Sequence, residues 1–189
     1  MIGQSLEEPC LLGFHLSQVG WGRMAGMPAA GLRRPAETAK VFLVMLGGPA
    51  DAAATLDEEV VTAPGRPRSL SSTQMLDDLT AFRTRAMWWI DRDLSPRQAA
   101  ALRLGFHAAT ALALSQVAAE SPGAIRAPLL EILGELARDA KALDVGHTDV
   151  ADVLSLARGA TGRLDFGGVH ARISRLCDDL PRELRALGP

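Results

Sequence analysis

The chain has 189 residues, long enough for one substantial core, with 48% hydrophobic and 22% charged residues. Its formal net charge of −2 gives no general attraction to nucleic acid or to an anionic membrane. The two cysteines, Cys10 and Cys177, form neither a disulfide framework nor a paired-cysteine metal knuckle. Only Lys40 and Lys141 are lysines, so the positive charge is nearly all arginine; with the abundant alanine this points to a GC-rich bacterial coding bias. Glu7 and Glu8 stand where an export signal would be basic, and the longest uncharged run, Leu104–Ala119, is too short to span a bilayer. The expected compartment is the cytoplasm.

Ser5-Leu6-Glu7-Glu8 has capping-box spacing and predicts a helix from about Leu6 to Val19, ended by Gly20, Gly22 and Gly26. Pro28–Pro35 is expected as a loop holding Arg33 and Arg34. Val41–Leu46, before Gly47-Gly48-Pro49, fits either a buried strand or a helix with Pro35 at its first position. The helix is preferred, because only Glu59–Thr62 could pair with a lone strand. Ala50–Val61 continues as a short helix. Thr62–Leu70, with two prolines and a glycine, is the clearest linker. It would join a small N-terminal lobe, 1–61, to a main bundle, 71–189; without two lobes, 1–189 form a single helical domain.

Ser71-Ser72-Thr73-Gln74 opens a helix running to about Asp93, with Met75, Leu79, Phe82, Ala86 and Trp89 on one face. Ser95-Pro96-Arg97-Gln98 then supplies a cap, a first-position proline and a glutamine at the third position. It launches the stretch Ala99–Ala119, which carries Arg103 and no further charge until Glu120. A helix this apolar all round has to be enclosed by other helices. Ser121-Pro122 starts the next helix, with Leu129, Leu133, Leu136, Ala140 and Leu143 as its buried stripe. Thr148-Asp149 is expected to cap a short helix ending at Gly159. The last helix is expected after Gly167-Gly168, with Val169, Ile173, Leu176, Leu180, Leu184 and Leu187 at coiled-coil-like spacing and a kink at Pro181. The expected fold is an all-α bundle of about seven or eight helices around residues 99–119.

One internal echo stands out. Leu12-Gly13-Phe14-His15 recurs as Leu104-Gly105-Phe106-His107, and Leu16-Ser17-Gln18-Val19 recurs as Leu114-Ser115-Gln116-Val117. Six extra residues separate the second pair, which argues against a simple duplication.

The candidate site is the polar line on the central helix. Arg103, His107 and Thr110 share one face, and a buried guanidinium needs an anion, from Asp77, Asp78 or a bound ligand. His15 is a further candidate if it converges with His107 across the bundle. The competing interpretation of His107 is a neutral core histidine bonded to a helix carbonyl or to Thr110. Trp88, with Arg85 and Arg92 as helical neighbours, has the composition of an interface hot spot. Loop residues Asp144 and His147, with Asp149 and Asp152, could touch a divalent ion, but such clusters more often cap helices. No metal or cofactor is expected.

Two functions follow. One is a helical binding protein, expected as a homodimer, holding a small anionic ligand near Arg103, His107, Thr110 and His15, or docking a protein through Trp88. The other is a small all-α enzyme with His107 as acid/base and Arg103 holding an anionic substrate. A DNA-binding regulator working through Arg163, Arg172 and Arg175 is a weaker third, because Asp165, Asp178 and Asp179 oppose phosphate.

Overall fold

A computed structural model describes residues 5–66, 72–120 and 122–187. Among the described residues the fold is all-α. In chain order the helices are α1 (Glu7–Met24), α2 (Ala29–Met45), α3 (Ala50–Val61), α4 (Ser72–Met87), α5 (Ile90–Asp93), α6 (Pro96–Glu120), α7 (Pro122–Leu143), α8 (His147–Gly159) and α9 (Arg163–Ala186). Val41–Leu46 is therefore helix, apart from Leu46 at its C-terminal cap. No helix among the described residues is long and apolar enough to cross a membrane.

The apolar stretch 99–119 lies at the centre, within α6, and packs against α1, α7 and α9. Ala101, Leu102, Leu104, Ala108, Ala111, Leu114 and Ala118 along it are all completely buried. Each such leucine contributes roughly 1.5–3 kcal/mol relative to exposure, so no single face of α6 can be spared its neighbours. Its start is the reciprocal cap foreseen in the sequence: Ser95 N–H donates to Gln98 Oε1 at 3.0 Å, and Gln98 N–H to Ser95 Oγ at 3.3 Å. Cys177 Sγ bonds Ala108 O while His170 Nδ1 meets Ser115 Oγ, so α9 runs antiparallel to α6.

The core has two halves flanking the α1/α6 pair. One gathers α7, α8 and α9 around Leu104, Leu133, Phe166 and Ile173. The other gathers α2 to α5 around Leu12, Leu32, Leu56, Phe82, Trp89 and Phe106. Where α1 crosses α6, two glycines let the backbones touch. A Cβ on Gly13 would lie 1.9 Å from Leu102 O, and one on Gly105 would lie 2.0 Å from Cys10 O. The first tetrapeptides of the sequence echo therefore face each other across this crossing.

Several boundaries differ from expectation. α1 runs through Gly20 and Gly22, because these residues make room for Phe82 and for Leu32 and Met27 rather than ending the helix. The break comes at Gly26, with φ +75°. Pro28–Pro35 is not a loop: α2 starts at Ala29 with Pro35 inside it, and burial of Leu32, Ala36, Ala39 and Leu43 outweighs the backbone bond that Pro35 cannot make. The helix expected to reach Asp93 divides at Trp88-Trp89. The Trp89 ring is fully buried and its indole N–H donates to Ala86 O at 3.2 Å. α8 is capped by Gly146 in the left-handed region rather than by Thr148-Asp149.

α9 begins before Gly167-Gly168, at Arg163, because Asp165 accepts backbone N–H bonds from Thr161 and Gly162. Those bonds hold its carboxyl below the usual carboxylate range. α9 continues through Pro181 to Ala186. In the linker, 62–66 lie outside helices, and 67–71, including the expected helix start at Ser71, lie outside the described residues.

Candidate functional site

The polar line on α6 opens into a cleft. α4, α5, α6 and α7 surround a cavity of about 540 Å³, within the range usual for small-molecule sites. Its walls combine Met87, Ile90, Ala100 and Ala142 with Arg83, Asp91, Arg103, His107 and Asp139. Trp88 stands at the same cleft, with 47% of its surface exposed. The ligand candidates Arg103 and His107 and the interface candidate Trp88 thus belong to one place.

His107 is the most enclosed group, with 2% of its side chain exposed. Its Nδ1 lies 2.8 Å from Asp139 Oδ2, and its Nε2 lies 3.3 Å from Arg83 Nη1. A guanidinium can only donate, so Nε2 is the acceptor and the ring proton sits on Nδ1, donated to Asp139. The imidazole is thereby oriented as in an aspartate–histidine pair, with its basic nitrogen turned toward Arg83.

Arg103 is half-buried, one turn before His107. Its Nη1 donates to Asp91 Oδ1 at 2.7 Å, and its Nε stands 3.8 Å from Asp139 Oδ1. The anions expected from Asp77 or Asp78 come instead from Asp91 and Asp139; Asp77 and Asp78 are exposed on α4. Arg138 and Glu135 pair with each other at 2.7 Å on the α7 side of the cleft. The cleft thus combines Arg83, Arg103 and Arg138 with Asp91, Glu135 and Asp139. Its formal charges balance, and Arg103 and Arg138 are paired within it, whereas Arg83 meets His107.

The other candidates fall elsewhere. His15 is not brought to His107: its Nδ1 bonds Gln18 at 2.9 Å and its ring stacks on Phe42 at 6.0 Å. Thr110 is completely buried, donates to Phe106 O at 2.7 Å and meets Ser17 Oγ at 2.8 Å, which ties α6 to α1. Arg92 stacks over Trp88, 4.8 Å from the ring centroid. Arg85 does not stack there; it donates to Glu59 at 2.7 Å. Most of the apolar stripe of the last helix is used inside the chain, since Val169, Ile173, Leu176, Leu180 and Leu184 are all buried; Leu187, just past the end of α9, is exposed.

Asp144 and His147 stand 3.5 Å apart on the surface, and no group of three or more metal-ligating side chains occurs among the described residues. Arg172 and Arg175 share the clefts along α8 and α9 with Asp149, Asp152, Asp165 and Asp179, so those helices present mixed charge rather than a basic stripe. Burial pushes the thiols of Cys10 and Cys177 up to about 12, so both stay protonated at neutral pH.

Asp139 and Arg83 were missed in the sequence. Asp139 carried a signal, as an acidic residue between Leu136 and Ala140 on the buried side of α7. Comparison with protein-family models, with curated proteins and with solved structures finds no match to this chain.

Proposed function

We propose that the chain is a helical binding protein whose α4–α7 cleft takes a small anion carrying a flat apolar part. The supporting observation is the meeting of Arg103, Arg83 and Trp88 on one open, half-apolar cavity of about 540 Å³. A guanidinium presents paired donors suited to carboxylate or phosphate. The half-exposed Trp88 indole, which carries Arg92 on one face, would take a flat apolar part on the other. Met87, Ile90 and Ala142 would cover the apolar part.

Calorimetric titration with benzoate and with inorganic phosphate tests this. Benzoate binding is expected to weaken more than tenfold in Arg103→Ala, as for loss of a charged hydrogen bond worth about 1.5–3 kcal/mol. Trp88→Ala should weaken benzoate about three- to tenfold and leave phosphate unchanged. Arg172→Ala, outside the cleft, should change neither. Absence of binding by both probes, or binding indifferent to Arg103, would sink the proposal.

One observation favours an enzyme as the second reading: Asp139 holds His107 in the tautomer a general base needs. With 2% of its side chain exposed, His107 can reach a substrate proton only if Arg83 first leaves Nε2. Binding is therefore the first reading and catalysis the second.

A further inference from the structure

Two carboxylates face Arg103, and they are held very differently. Asp139 is 12% exposed in its side chain and is fixed by His107 at 2.8 Å. Asp91 is 79% exposed in its side chain, yet it makes the short contact with Arg103, at 2.7 Å. Among the described residues, it is the group that takes Arg103's hydrogen bond.

The backbone under Asp91 is not free to move away. α5 is a single turn of four residues, and both Trp89 before it and Ile90 at its start are buried. Trp89 O accepts the N–H groups of Arg92 and Asp93, at 3.1 and 3.0 Å. What can move is the carboxylate, by rotation about its own side-chain bonds into the water that already surrounds it.

We propose that Asp91 is a displaceable internal anion, occupying the seat on Arg103 that an incoming carboxylate or phosphate would take. The inference rests on the ligand reading of the cleft and adds a determinant to it. An ion pair with so exposed a partner is weak and costs little to open. A carboxylate or phosphate able to use two guanidinium nitrogens displaces it, and stacking on Trp88 adds to this for an aromatic carboxylate. Asp91 thereby sets the threshold for occupancy without any movement of α5.

The test is titration of the full chain with benzoate, comparing the wild type with Asp91→Asn and Glu135→Gln. Both variants remove one negative charge from the cleft, but Glu135 is paired to Arg138 rather than to Arg103. The expected result is binding about two- to fivefold tighter in Asp91→Asn, matching loss of an exposed pair. Glu135→Gln should stay within about twofold of the wild type. Equal tightening in both variants would overturn the proposal, since a general field would then account for it. So would unchanged or weaker binding in Asp91→Asn; if Arg103→Ala still weakens binding more than tenfold, that failure leaves the ligand site standing. No binding of benzoate or of inorganic phosphate by either the wild type or Asp91→Asn removes the ligand site and the displaceable anion together.

Discussion

Glu59 has 7% of its side chain exposed, yet it carries a charge between two arginines. Its Oε1 accepts from Arg85 at 2.7 Å, and its Oε2 lies 3.0 Å from Arg23, in an orientation that makes no hydrogen bond. Arg23 also donates to Glu59 O and to Thr62 Oγ1, which fastens the end of α1 to the end of α3. Removing one partner of a buried pair costs about 3–5 kcal/mol. Here both arginines reach water, so Glu59→Ala should lower stability by about 2 kcal/mol in urea unfolding. None of this was legible in the sequence, where Asp57, Glu58 and Glu59 form one acidic run and only the packing of α3 decides which of them turns inward. Arg103 and His107 were legible for the opposite reason, as isolated polar residues in an apolar helix. Their partners Asp91, Asp139 and Arg83 lie on three other elements, and sequence distance hid the pairing.

At the scale of elements, existence and type followed from periodicity, and boundaries did not. Of the expected caps, that of Ser95 and Gln98 forms, whereas α1 has Leu6 at its N-cap with no side-chain bond and α8 has Gly146. Glycine was the main source of error, because the same residue serves to end a helix and to let two helices approach. Gly20 lies against the Phe82 ring inside α1, and Gly105 lies against the backbone of α1. In such places Gly→Ala is an overpacking change. Gly105→Ala and Gly13→Ala should each destabilise by about 3 kcal/mol, at the upper end for inserted methyl groups, because the obstacle is a backbone carbonyl that cannot rotate aside. A Cβ on Gly134, within α7, would instead meet nothing within 4 Å. Gly134→Ala should stabilise by roughly 0.5–1 kcal/mol through helix propensity alone. Thermal or urea unfolding of the three variants checks both signs; a neutral Gly105→Ala would mean that α1 and α6 separate easily.

At the scale of the whole molecule, the all-α class and the central place of residues 99–119 were legible in an apolar run with no polar face. The division of neighbours between the two core halves was not, since every stripe in the chain is rich in Leu and Ala and fits many partners. The homodimer expected from the Trp88 surface and the heptad-like last helix remains a proposal, and we place its seam on α2 instead. Val41, Val44 and Met45 form an exposed apolar stripe on α2, with Val44 at 74% exposure, and such a stripe favours burial against another surface. Native mass spectrometry should give a dimer that Val44→Glu converts to a monomer; a wild-type monomer would discard the idea. The α1/α6 crossing carries a consequence of its own. Gly13 sits on the carbonyl three residues before Gly105, and Gly105 sits on the carbonyl three residues before Gly13. The contact is thus its own reciprocal, as at a two-fold axis. The helices that follow keep a common pattern, with the first of each set the longest and the third the shortest: 18, 17, 12 and 16 residues in α1 to α4, then 25, 22, 13 and 24 in α6 to α9. Pro35 and Pro128 each lie inside the second helix of their set. The two halves of the core are thus built from sets of helices alike in their order of length, with His107 lining the charged cleft and the His15 ring stacked on Phe42.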